Sequence, residues 1–234
     1  MEVVRFELEG VLNSFRVPYF KKYHKTFLAP PKTTIIGLLC NISLKTQKDF
    51  FEILNNDFLQ ISVVIDEIKG KAKDLWRFKT LKKGRDSSII RRDKLFLPKY
   101  TIYLYSDNKE LLQEFEANLI SPRSIPSLGL DDELVIIKNV KKVKLKDNST
   151  KIVDSVFMNK ELEYKVFVKD KNKFIEIPTL NLVPTKFIAF DKKGKRISKQ
   201  KQEELFQVEF LNCEVEVDLK SFLDEEKNYR LVFY

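Results

Sequence analysis

"LQISVVIDEIKGKAKDLWRFKTLKKGRDSSIIRRDKLFLPKYTIYLYS", residues 59–106, contains two strand signals with the most basic stretch of the chain between them. LQISVVIDEI, at its start, is apolar and β-branched. KYTIYLYS, at its end, alternates with period two, and both predict strands. Between Lys69 and Lys99 stand twelve lysines and arginines against three aspartates. That net charge of +9 equals the net charge of the whole chain. The excess is therefore local, an insertion between two strands.

Reading outward from it gives the fold. Upstream, VVRFELEGVLNSF (3–15) begins as an alternating strand, and RVPYFKKYHKTFLAPPK (16–32) is a loop with five cations and no acid. PPKTTIIGLLCNISL (30–44) predicts a short buried helix after proline, with threonines available to cap it and Ile35, Ile36, Leu38, Leu39 and Ile42 on one face. TQKDFFEILNND (46–57) opens with the capping box Thr46–Asp49. Downstream, DNKELLQEFEANL (107–119) is an amphipathic helix starting at Asp107 or Asn108, and DELVIIKNVKKVKLK (132–146) a strand. The order β-α-β-(basic insertion)-β-α-β predicts an α+β fold. Its first part, 1–146, is ferredoxin-like (RRM-like), with the insertion at about 69–99 as a long basic β-hairpin. From 147 to 234 the signals are short strands, and a small, mostly β C-terminal domain is expected. DKKGKR (Asp191–Arg196) reads as a hairpin turn there, and DLKSFLDEEKN (218–228) as a short helix or loop.

Composition sets further limits. An apolar share of 43%, with 19 phenylalanines, suffices for a sizeable core in 234 residues. No apolar run approaches the roughly 18–20 residues of a membrane helix, and the N-terminus lacks a signal-peptide core, so no membrane partner is expected. Cys40 and Cys213 sit apart in apolar contexts, which predicts buried free thiols in a reducing cytoplasm. One histidine and no Cys/His cluster predict no metal site, and no cofactor motif is present. Lys-Thr before the first helix lacks the glycines of a phosphate-binding loop, because prolines stand in their place.

A run of charge is usually a solvated face. Here the cations are interleaved with Trp76, Phe78, Leu95 and Phe96, and Gly84, Asp86 and Ser87 supply turn chemistry at the tip of a hairpin. Like charges at this density repel unless a polyanion neutralises them, which predicts nucleic acid as the partner, with a structural arm that contacts acidic protein as an alternative. On the insertion the candidate contacts are Trp76, Arg77, Lys79, Lys82, Lys83, Arg85, Arg91 and Arg92. The upstream loop adds Arg16, Lys21, Lys22, Tyr23 and His24. Lys32 stands at a helix N-terminus able to hold a phosphate, and Arg123 lies in the turn-rich SPRSIPSLGLDDEL (121–134), where Gly129 suits a tight turn. Tyr23, His24 and Lys25 (or Lys22) are an alternative catalytic set, since metal-independent RNA cleavage needs only a base, an acid and a cation.

Three stretches carry a resemblance. SFRVPYFKKYHKTFLAPPKTTIIGLL (14–39), IIRRDKLFLPKYTIYL (89–104) and IPSLGLDDELV (125–135) together resemble the CRISPR-associated Cas five family, in the RAMP superfamily. The resemblance covers about residues 1–140. It implies an RNA-binding subunit of a type I Cascade complex in antiviral defence, gripping the 5′ handle of the CRISPR RNA. The basic hairpin would be the family's thumb. Other Cascade subunits (backbone and large subunit) are the implied partners, with target DNA a further candidate. One subtype's members also cleave precursor RNA. The glycine-rich C-terminal loop of RNA-cleaving relatives has no counterpart in a chain with six glycines, and the short β-rich C-terminal part resembles the I-B-like groups.

Overall fold

Alternation in the first ten residues decides which way the first strand faces. The computed structural model describes residues 1–18, 20, 23–79, 87–159, 163–184, 187–190, 196–198 and 204–234. In β1 (Glu2–Gly10), Val4, Phe6 and Leu8 point to one buried layer and Val3 and Arg5 to the other. The chain continues through β2 (Leu12–Asn13), α1 (Lys32–Ile42), α2 (Gln47–Asn55), β3 (Gln60–Glu67), β4 (Gly70–Lys79), β5 (Ser87–Phe96), β6 (Lys99–Tyr105), α3 (Lys109–Ile120) and β7 (Val135–Lys144). Then come β8 (Lys146–Asp147), β9 (Ile152–Val153), β10 (Phe157–Asn159), β11 (Lys165–Val168), β12 (Glu176–Pro184) and β13 (Phe187–Phe190). The last strands are β14 (Arg196–Ser198), β15 (Glu204–Leu211), β16 (Cys213–Glu216), β17 (Phe222–Asp224) and β18 (Tyr229–Leu231).

Four strands form an antiparallel sheet in the order β3-β6-β1-β7. Ile35, Ile36, Leu38, Leu39 and Ile42 of α1, Phe50, Ile53 and Leu54 of α2, and Leu112, Phe115 and Leu119 of α3 share one core cluster with Val4, Phe6 and Leu8. The capping box Thr46–Asp49 is present, and the Asn108 side chain caps α3 by accepting from the Leu111 amide. The threonines do not cap α1. Pro31 is its N-cap, with no side-chain bond, because proline already fixes the entering backbone. The 218–228 segment, read as helix or loop, contributes β17 instead, which pairs β18 and β8. The apolar alternation of LFQVEFLNCEVEVDL (205–219) is interrupted at Asn212 (φ 59), which sends β15 and β16 into different sheets. β13 and β14 pair antiparallel, and the predicted turn between them, at 191–195, lies outside the described residues.

Segments after residue 147 close the free edge of β3. Tyr234 exchanges two backbone hydrogen bonds with Ile61 (3.0 Å each), and the Val156 amide donates to the Val63 carbonyl at 2.8 Å. Val156, Val183 and Leu211 belong to the same core cluster as the three helices. Across the other face of the sheet, Arg5 reaches Asp224 at 2.5 Å, both almost fully buried, and Tyr103 donates to the same carboxylate at 2.8 Å. Cys40 and Cys213 are buried free thiols, and burial pushes the Cys40 thiol up to about 12. Among the described residues no helix is long and apolar enough to cross a membrane.

One buried carboxylate fixes the approach to α1. Glu209 accepts from the Leu28 and Ala29 amides at 3.0 and 3.1 Å, and from Gln207 and Asn181 at 2.7 and 3.3 Å. Burial nevertheless raises its carboxyl to about 7, from an ordinary 4.5. A raised native value makes this group's stabilisation whole below about pH 4.5 and lost as pH rises through about 7. Glu209→Gln brings an amide donor against these donors and is expected to cost about 1–3 kcal/mol at pH 5.5. It should also flatten the decline in stability between pH 5.5 and 8. Chemical denaturation at both pH values reads the two effects; a native chain equally stable at each would contradict the assignment.

Candidate nucleic-acid interface

The basic stretch folds back on itself as β4 and β5, which pair antiparallel from Gly70↔Phe96 to Lys79↔Ser87. Two upstream segments dock on the other edge of β5. β2 pairs Leu12 and Asn13 with Phe96 and Leu95. Further out, the His24 amide donates to the Arg91 carbonyl and the Asp93 amide to the His24 carbonyl, both at 2.8 Å. Residues 14–27 are themselves tied together by Val17–Lys25 (2.9 Å) and Phe27–Phe15 (2.8 Å) backbone bonds. The basic loop and the basic ribbon are therefore one continuous sheet-like unit.

The turn at 127–134 is locked to the same place by Glu133. Its buried carboxylate accepts from the Ser14 amide and hydroxyl (2.6 Å each), from Lys94 Nζ (3.0 Å) and from the Leu130 amide (3.2 Å). Gly129 sits beneath it at φ +112, and a Cβ there would lie 2.2 Å from Glu133 Oε2 and 2.5 Å from the Ser14 carbonyl oxygen. Only glycine meets both demands.

A groove of about 630 Å³ lies between these elements, lined by Ser14, Phe15, Arg16, His24, Lys25, Thr34, Trp76, Arg92, Asp93 and residues 129–132. Thr34, Gly129 and Asp131 also line a second groove, of about 470 Å³, that runs along α1 past Gly37 and Asn41 to Ser124. The walls carry groups that can meet a nucleotide chain, alongside the carboxylates of Asp93, Asp131 and Asp132. Arg16 and Arg92 supply positive charge, Trp76 offers a partly exposed ring, and Thr34 and Ser14 carry hydroxyls. Burial, then the Arg16 and Arg92 charges, lower the His24 pKa below 6.5, so the imidazole is neutral at pH 7.

The structure brings some expected residues together and separates others. Arg16, His24, Lys25, Trp76 and Arg92 meet in the groove. Arg92 is less free than its sequence context implied: it donates to Asp74 through Nε (3.0 Å) and Nη2, and its guanidinium lies 4.8 Å from the Trp76 ring centre. Tyr23 does not line the groove; it packs against Phe20 (5.0 Å between centres) with Arg91 over its ring at 5.3 Å. Lys25 Nζ bonds Asn181 at 3.2 Å. Lys32 opens α1, its ammonium 3.7 Å from Asp57, and Arg123 is exposed beyond α3; neither lines the groove. Arg77 and Lys79 lie on β4. Lys21, Lys22, Lys82, Lys83 and Arg85 lie outside the described residues, as does Gly84.

Three acids from outside the basic stretch meet it: Glu176 reaches Lys71 (2.5 Å), Glu133 reaches Lys94 and Glu67 reaches Lys99 (3.3 Å). They offset three of its nine excess charges at the root of the ribbon. Leu95, expected to interleave with the cations, is fully buried in the main core. Asp131, Asp132 and Ser14 were not anticipated as groove residues, since turn signals carry no record of what they face. Among the described residues no group of three or more His, Cys, Asp or Glu could hold a metal ion.

No curated protein matches the chain. A solved structure titled "CRISPR RNA-guided surveillance complex" superposes with TM-score 0.52 at 17% identity, covering 96% of this chain and 95% of that one. A CRISPR protein from Archaeoglobus fulgidus gives TM-score 0.54 at 16% identity, covering 99% and 98%. A structure titled "Crystal structure of Cas protein" is matched over 56% of this chain and spans 57% of its own, with TM-score 0.38 and 19% identity. The two full-length matches share the fold. The family model described as CRISPR-associated protein (Cas_Cas5) matches residues 3–154, which include β1, the loop, the ribbon and the 127–134 turn, and the chain belongs to that family.

Proposed function

We propose that this chain is a non-catalytic RNA-binding subunit that holds the 5′ handle of a CRISPR RNA within a type I Cascade complex, in the cytoplasm. The observation that carries the reading is the joining of the basic loop to the basic ribbon through His24 and β5, beside a groove with cations, an aromatic ring and hydroxyls. Family membership supports it, as does the likeness in fold to a chain of a CRISPR RNA-guided surveillance complex. In this reading the β3-β6-β1-β7 sheet is ferredoxin-like, with strands two and three flanking the ribbon, and the ribbon is the thumb. Residues 147–234 form a β-rich second unit that shares core with the first. Arg16, Trp76, Arg91 and Arg92 would meet RNA nearest the groove, and the outer cations would reach the guide and the neighbouring backbone subunit.

A second reading rests on His24. A neutral imidazole beside Arg16 and Arg92 is a competent general base, and an endoribonuclease would use it. Tyr23 and Lys25 are engaged with Arg91 and Asn181, which leaves the acid unassigned. Incubating the full chain with labelled hairpin repeat RNA without metal separates the readings. Retention without cleavage is expected, and His24→Ala should weaken binding by about 1 kcal/mol, the lower end for one stacked base. Specific cleavage that disappears in His24→Ala would promote the nuclease. Neither binding nor cleavage would make the ribbon a protein-contacting arm.

A further inference from the structure

A separate cleft of about 470 Å³ opens where the end of β3 meets β15, β16 and the 169–174 turn. None of its lining residues lines either groove. Ile65, Ile68, Phe210 and Leu211 give it a buried apolar floor, and Phe174, 43% exposed, gives it an exposed aromatic ring.

Its charges decide what it can hold. Three carboxylates line it, and each already has partners. Asp154 accepts from Arg230 Nε at 2.7 Å and Lys169 Nζ at 2.5 Å. Asp66 accepts from Thr101 and Tyr229 at 2.8 Å each. Glu67 lies 3.3 Å from Lys99. Lys69 and Lys173 differ: their backbone amides bond Phe96 and Asp170, but neither ammonium has an ion pair among the described residues. The free charge of the cleft is therefore two cations, beside an apolar floor and an aromatic face. An inorganic anion would leave the floor and the ring unused. An acyl chain would strand its tail against Asp66 and Tyr229.

We propose that this cleft is a second ligand site, for a nucleoside phosphate, with the base on Phe174 and the apolar floor and the phosphate between Lys69 and Lys173. Asp66 and the Tyr229 hydroxyl offer acceptors for base or ribose N–H and O–H groups. The site is separate from the groove assigned to guide RNA and does not depend on that assignment.

Isothermal titration of the full chain with AMP, GMP, CMP and UMP tests it, with inorganic phosphate and adenosine as the two half-ligands. At least one nucleotide should bind about tenfold or more tightly than either half-ligand. Lys173→Glu should weaken that binding about tenfold and Phe174→Ala about fivefold, whereas Arg16→Glu in the groove should leave it unchanged. Absence of binding by all four nucleotides would overturn the proposal. So would equal binding of inorganic phosphate, or a loss confined to Arg16→Glu.

Discussion

Removing residues 77–89 and joining Trp76 to Ile90 through an Asn-Gly turn should leave a folded chain with about 100-fold weaker RNA binding. Trp76 and Ile90 are directly opposed partners in the ribbon, so a two-residue turn fits between them. The excision takes away Arg77, Lys79, Lys82, Lys83 and Arg85. Each phosphate contact on a single strand contributes about 0.7 to the log–log salt slope. Three lost contacts remove about 2 from it, which between 1 M and 0.1 M salt is about 100-fold in affinity. Cutting at 71–97 should instead abolish cooperative melting, because Leu95 is core, Lys94 holds Glu133, and β5 carries β2 and His24. Calorimetry and a binding titration on both deletions give the comparison. Loss of cooperative melting in the shorter excision would show that the outer ribbon is part of the core.

Gly129→Ala should dismantle the groove from beneath. The strained φ costs about 1–3 kcal/mol for any L residue, and the new Cβ displaces Glu133 from bonds worth about 1 kcal/mol or more each. The Ser14 carbonyl, 2.5 Å from the new atom, is backbone and cannot swing aside. A total near 3 kcal/mol is expected, with RNA binding weakened about tenfold as loop, ribbon and turn separate. Gly37→Ala is the control: no atom lies within 4 Å of its Cβ, and inside α1 the change should stabilise by about 0.5–1 kcal/mol. Similar denaturation midpoints for the two variants would show that Gly129 is not under the constraint described.

Much of this was legible because periodicity survives burial. Ile35, Ile36, Leu38, Leu39 and Ile42 declared α1, and Thr46 with Asp49 declared the start of α2. Charge was legible as a quantity but not as a distribution. Lys71, Lys94 and Lys99 read as part of one field until Glu176, Glu133 and Glu67 arrived beside them from distant elements. The same holds for Leu95, whose cationic neighbours hid a core position, and for Glu209, whose four donors come from three segments far apart in sequence. The break at Asn212 was hidden because asparagine adopts positive φ without any change in the apolar pattern around it.

The salt dependence of binding to single-stranded handle RNA tests the central claim most directly. If the loop, groove and ribbon meet five or six phosphates, log affinity should fall against log salt with a slope near −4, at about 0.7 per contact. A slope shallower than about −1 would mean that no more than one phosphate is met, and that the charge concentrated between Lys69 and Lys99 serves some other partner.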